Sequence, residues 1–110
     1  MVQSKILILG CLAPAMLWSA ALGEDTVELR AAGGTFEPLR LVVPAGTPFR
    51  IKVTNREKIP VEFESFELHR ERVVQPGETI TVKMPALAAG SYKFLDDFNE
   101  KTPQGEIVAK

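Results

Sequence analysis

From Thr26 to the end of the chain, apolar residues recur at every second position far more often than at a helical spacing. Leu39, Leu41 and Val43 alternate, as do Phe49, Ile51 and Val53, then Ile80, Val82 and Met84, and later Tyr92 and Phe94. A period of two gives each segment one apolar and one polar face, the pattern of a strand with one side in a core and the other in water. Turn chemistry separates the runs. Pro44-Ala45-Gly46 and Gln75-Pro76-Gly77-Glu78 join a proline with preset φ to a glycine free to take positive φ, and Gly33-Gly34, Ala89-Gly90 and Pro103-Gln104-Gly105 mark further corners. No stretch of ten residues reads as an amphipathic helix, and there is no repeat or low-complexity linker. Strands are predicted near 26–31, 38–43, 48–54, 60–64, 66–74, 78–84, 91–96 and 104–109. Seven or eight short strands at this spacing predict an all-β sandwich of two sheets with Greek-key connections. One phase break stands out: Val61 and Phe63 share a face while Phe66 and Leu68 have the opposite parity, which predicts a bulge or corner around Glu64-Ser65.

The first 23 residues follow a different plan. Lys5 supplies a positive charge, Ile6 to Ala21 is apolar except for Ser19, and acidic residues begin only at Glu24 and Asp25. This is the layout of a secretory signal peptide. Small residues allow cleavage after Ala21 or after Gly23, the second being favoured, so that residues 1–23 are expected to be removed and 24–110 to form the domain. A retained anchor needs about 20 apolar residues, and Pro14 interrupts a shorter stretch here. A third reading takes Ile8-Leu9-Gly10-Cys11 as a lipoprotein cleavage box, but the chain stays apolar for another ten residues beyond Cys11. Cleavage after Gly23 leaves 87 residues; Lys5 is the only charged side chain removed, so 12 of the 13 basic and all 14 acidic residues stay, a net charge of −2. Cys11 goes as well, giving a thiol-free domain for an oxidising compartment, expected to be the periplasm.

Near-balanced charge without runs of one sign excludes a nucleic-acid footprint or attraction to an anionic membrane, and no membrane insertion is expected after cleavage. A lone His without Cys rules out a Cys/His zinc site and a nucleophilic triad. Phosphate-cradling glycine loops require a helix N-terminus, which this pattern lacks. The chain is not expected to be an enzyme. Its remaining chemistry is carboxylate chemistry, at Asp96-Asp97 and at Glu62, Glu64 and Glu67.

Two segments carry a family likeness. Pro38-Leu39-Arg40-Leu41-Val42-Val43-Pro44-Ala45-Gly46 with Ile51-Lys52-Val53-Thr54-Asn55 resembles the opening of a cupredoxin, and Gly90-Ser91-Tyr92-Lys93-Phe94-Leu95-Asp96-Asp97-Phe98-Asn99 resembles its last, ligand-bearing hairpin. More narrowly, Val61-Glu62-Phe63-Glu64-Ser65, Glu67-Leu68-His69-Arg70-Glu71 and Asp96-Asp97-Phe98 resemble the iron-transport branch of that superfamily. This branch holds the EfeO-type cupredoxin-like domain and the single-domain periplasmic cupredoxin that accompanies ferrous-iron permeases. The resemblance implies a cupredoxin-like Greek-key sandwich. It also implies that the blue-copper thiolate position falls at Asp96, the imidazole positions at Asn99 and at Val61 or Glu62, and the axial position near Gln104. A blue-copper centre needs a thiolate and two imidazoles, so none is expected.

Oxygen donors suit iron better than Cu(I). The candidate metal set is therefore Glu62, Asp96, Asp97 and Glu64, with Asn99, Gln104 and His69 as further donors, for an iron or copper ion at the rim of the sandwich near Glu62 and Asp96. Each residue also has a plain role. Glu62 and Glu64 have the parity of a solvated face, Asp96-Asp97 suits the start of a turn, His69 suits the surface, and Met84 and Tyr92 suit core-facing positions. The expected function is a periplasmic accessory protein of a bacterial ferrous-iron uptake system, handling metal beside a membrane iron permease and other periplasmic components. The rival expectation is a metal-free sandwich that docks to another envelope protein.

Overall fold

A computed structural model describes residues 25–110; the signal-peptide reading, with Cys11, lies outside the described residues. Nine strands follow one another: β1 (Asp25–Ala32), β2 (Thr35–Glu37), β3 (Arg40–Val43), β4 (Phe49–Asn55), β5 (Val61–Ser65), β6 (Arg70–Val74), β7 (Thr79–Met84), β8 (Gly90–Asp96) and β9 (Gly105–Ala109). They form a four-stranded sheet, β2-β1-β4-β7, and a five-stranded sheet, β3-β9-β8-β5-β6. The β1/β4 and β3/β9 pairs are parallel and the other ladders antiparallel. Neither parallel pair joins consecutive strands, so the chain crosses between sheets, as a Greek-key sandwich requires.

The alternating residues meet as expected. Leu29, Phe49, Ile51, Val53 and Val82 from one sheet face Leu41, Val43, Phe63, Phe94 and Ile107 from the other, all nearly excluded from solvent. Met84 is buried among them, and Tyr92 is half-buried with its hydroxyl donating to the Ala88 carbonyl at 2.7 Å. Three rings centre the core: Phe36 meets Phe63 and Phe94 edge-on at 6.4 and 5.4 Å, and Phe63 and Phe94 lie 5.5 Å apart. Such pairs contribute about 0.5–1.5 kcal/mol each beyond the area they bury.

Two segments differ from expectation. The strand predicted over 66–74 begins only at Arg70, because Phe66–His69 makes the turn of a β5–β6 hairpin. The phase break is thus a reversal of the chain just beyond Ser65, closed by the His69 N–H on the Phe66 carbonyl with His69 at φ 55°. The extra strand is β2, three residues long, which folds back on β1 to place Phe36 in the core.

Gly105 occupies a position where no side chain fits. A Cβ there would overlap the Phe94 ring and stand 2.8 Å from the Leu39 carbonyl oxygen. Neither the backbone nor a ring already packed on Phe63 can give way freely. Gly105→Ala is therefore expected to cost about 1–3 kcal/mol, read as a lower denaturation midpoint with an unchanged slope.

Candidate metal centre

β5 reads Val61-Glu62-Phe63-Glu64-Ser65. Val61, Phe63 and Ser65 turn inward, and Glu62 and Glu64 turn to the outer face of the five-stranded sheet. The hairpin register sets Glu64 directly across from Glu71 of β6 and Glu62 across from Val73. On the other side β8 ends beside β5, where the Asp97 N–H donates to the Glu62 carbonyl at 3.0 Å and brings the Asp97 side chain to the same face. Carboxylate oxygens of Glu62, Glu64 and Asp97 lie within 4.8 Å of one another. Glu71 completes a group of four.

Crowding of carboxyl groups makes it costly to ionise every member in the absence of a cation. Glu62, expected on a solvated face, is only 7% exposed. Burial pushes its carboxyl up from 4.5 to about 7, helped by a carboxyl–carboxylate hydrogen bond with Glu71 and by the charges of Glu71, Glu64 and Asp97. Glu64 is half-buried and is also raised, by desolvation and then by Glu71 and Asp97. Its Oε1 is out of water and meets no protein donor. An oxygen in that state is satisfied by a proton or by a cation.

The rest of the predicted set is placed elsewhere. Asp96 points the opposite way from Asp97: it is 5% exposed, and its Oδ1 accepts the N–H groups of Glu62 at 2.9 Å and Phe98 at 3.0 Å. It lines a small cavity of about 60 Å³ at the end of the sandwich with Ala31, Phe36, Ile59, Val61 and Asn99. Asn99 caps the following turn, its Oδ1 accepting from Lys101 N at 3.2 Å. Gln104 is exposed in a shallow depression that Asp96, Asp97, Asn99 and Phe66 also line, which brings four of the expected donors to one rim, and His69 is exposed at the hairpin turn in another, next to Glu64 and Glu71. The expected rim site pairing Glu62 with Asp96 is therefore divided: Glu62 belongs to a cluster on the sheet face, Asp96 to the end cavity. Glu71 was missed as a member of the cluster. The signal for it was present, since Glu64 and Glu71 sit symmetrically about the Phe66–His69 turn.

The end cavity is where the family resemblance places a copper ion. Asp96, in the thiolate position, already accepts two backbone donors through one oxygen, and Asn99 spends its side-chain carbonyl on its own turn. An all-oxygen donor set of this kind does not fit a blue-copper centre.

The comparisons agree with this architecture. An uncharacterized protein of Rickettsia prowazekii (strain Madrid E) is 38% identical over 82 residues, which is 74% of this chain and 66% of the relative, so the chain spans just under two thirds of that relative's length. Among solved structures, auracyanin B superposes with a TM-score of 0.63 at 18% identity, covering 78% of this chain and 88% of that one. A purple cupredoxin from Nitrosopumilus maritimus gives 0.59 at 18% identity, covering 76% and 99%. At such identities these structures show the fold. The model of the cupredoxin-like domain matches residues 5–109, and with two sheets in this topology around a Phe36–Phe63–Phe94 core, the chain belongs to the cupredoxin-like domain family.

Proposed function

We infer that this is an exported accessory protein of a bacterial iron-uptake system that holds a metal ion as cargo on the outer carboxylate face, beside a membrane iron permease in the periplasm. The observation that carries the reading is the convergence of Glu62, Glu64 and Asp97, whose carboxylate oxygens lie within 4.8 Å of one another, with Glu71 directly across from Glu64. A cation would relieve the repulsion and give Glu64 Oε1, which meets no protein donor, a partner. Oxygen-only ligation favours a hard or borderline ion, which suits iron and gives no special hold on Cu(I). The cluster faces outward from the sheet, with Asp97 exposed, as an exchangeable cargo site needs. Iron transport, the periplasmic location and the permease partner rest on the family resemblance of the Glu-Phe-Glu-Ser and Asp-Asp-Phe segments. No catalytic role is assigned.

Calorimetric titration with Fe(II) under anaerobic conditions, and with Fe(III) and Cu(II), tests the reading. Binding of iron is expected, and Asp97→Asn is expected to weaken it about tenfold or more, since even partners one shell removed from a metal commonly matter by 10–100-fold. Absence of heat with every metal would leave the metal-free docking module as the better description.

A further inference from the structure

β7 is the free edge of the four-stranded sheet and β6 the free edge of the five-stranded one, and the two run along the same side of the sandwich. An exposed edge strand is a template for pairing with another chain. Here the edge is covered in a particular way. Arg72 Nη1 donates to the Thr81 carbonyl at 3.4 Å and Arg70 Nε to the Lys83 carbonyl at 3.0 Å, both across the seam from β6 to β7. Carbonyls at Thr81 and Lys83 therefore face away from β4. In an antiparallel ladder the N–H of a residue points to the same side as its C=O, so the amides of Thr81 and Lys83 face the seam as well.

The seam is an open groove of about 510 Å³, lined by His69, Arg70, Arg72, Thr81, Val82 and Lys83. Glu71 also borders it, but its strand parity is that of Glu64, directly across from it on the outer face. Three permanent positive charges thus gather along an edge strand whose acceptors are held only by arginine side chains. Arg72 is exposed, and one of its nitrogens is committed to Thr81.

We propose that this seam is a docking site for an extended acidic segment of a partner protein, which pairs with β7 while its carboxylates take the guanidinium groups of Arg70 and Arg72. An added strand supplies N–H groups to the Thr81 and Lys83 carbonyls. It thereby frees Arg72 Nη1 and Arg70 Nε to meet carboxylates, the anions a guanidinium matches best, while Arg70 Nη1 stays on the Leu68 and His69 carbonyls at 3.2 and 3.3 Å and holds that side chain in place. Strand periodicity fixes the pattern of the occupant: residues at every second position point back toward β6 and the arginines, so acidic side chains alternate along it. Backbone pairing supplies the hold and the charges supply the choice. The cluster lies on the outer face of the β5–β6 hairpin and the docking strand pairs with β7, so the two share only Glu71 at the border of the groove, and the proposal stands whether or not the cluster binds metal.

The test uses the purified ¹⁵N-labelled protein and a synthetic nine-residue peptide of alternating Glu and Thr, with alternating Lys and Thr as its charge-reversed counterpart. Expected are saturable shifts of the Thr81 and Lys83 amides with the Glu peptide alone, and at least tenfold weaker binding in Arg72→Gln and in Lys83→Gln. Both side chains are exposed, so these variants are expected to fold; Lys58→Gln, away from the groove, should bind as the wild type does. The proposal is overturned if the Glu peptide causes no shift, or if its binding survives both substitutions. It is equally overturned if inorganic phosphate or phosphatidylglycerol vesicles produce the same shifts at comparable concentration, which would make the groove a site for small anions or for lipid.

Discussion

Glu62→Gln is expected to make the metal-free protein more stable than the wild type at pH 8 and to weaken iron binding by an order of magnitude or more. Both effects come from one carboxyl group. In the fold it titrates at about 7 against a usual value of 4.5, because burial and the charges of Glu71, Glu64 and Asp97 oppose ionisation. At pH 4 it is protonated in folded and unfolded chains alike, and no penalty exists. Between 4.5 and 7 the unfolded chain loses the proton while the folded one keeps it, so the unfolded state binds fewer protons and stability falls as pH rises. Above 7 the folded group ionises too, and the loss levels off. The wild type should therefore drop relative to Glu62→Gln across that window by several degrees in Tm, given that 1 kcal/mol moves a domain of this size by about 4–8 °C. Metal reverses the sign. Binding requires the deprotonated carboxylates, so iron affinity should climb through the same window, and with saturating iron the wild type should become the more stable protein at pH 8. Parallel melting curves of the two proteins at pH 5 and pH 8, with and without Fe(II), check all four conditions. Identical pH dependence of the two metal-free proteins would show that Glu62 is not strained by its neighbours.

The sandwich was legible because nearly every strand announces its own inward face. Phe49, Ile51 and Val53 keep their period through β4, and the registers with β1 and β7 follow from matching apolar faces. β2 carries a single apolar residue, Phe36, too few to establish a period, and its place is decided by what Phe36 packs against. The carboxylate cluster was half legible. Parity put Glu62 and Glu64 together on the outer face, yet parity counts a face as wet unless something covers it. Glu71 supplies crowding from β6 and Asp97 from the turn after β8, and their positions depend on the hairpin register and on where β8 ends. Adjacency at Asp96-Asp97 is only part of the story: both line one depression at the rim, yet Asp96 closes β8 with its carboxyl on backbone donors while Asp97 opens the turn that follows. One went to the cluster and the other to the end of the core.

That division makes Asp96 the sharper test of what is structure and what is site. Its Oδ1 accepts two backbone N–H groups in a buried setting, one from the first turn after β8 and one from Glu62 at the start of β5. These bonds tie the end of β8 to β5 and so set Asp97 beside Glu62. Removing the acceptor leaves the buried Glu62 N–H and the part-buried Phe98 N–H unpaired, and hydrogen bonds to a charged group contribute about 1.5–3 kcal/mol each. Asp96→Ala is expected to lose about 2–4 kcal/mol, a large share of the roughly 5–15 kcal/mol that holds a domain together. Asp96→Asn keeps an acceptor oxygen in the same place and should recover much of that loss. A metal ligand behaves in the opposite way: the amide would keep the fold but forfeit affinity, as Asp97→Asn is expected to do. Denaturation and iron titration on Asp96→Ala, Asp96→Asn and Asp97→Asn therefore separate the roles. Asp96→Asn should bind iron within about twofold of the wild type, and a tenfold loss there with an intact fold would return Asp96 to the metal site and move that site from the sheet face to the end of the sandwich.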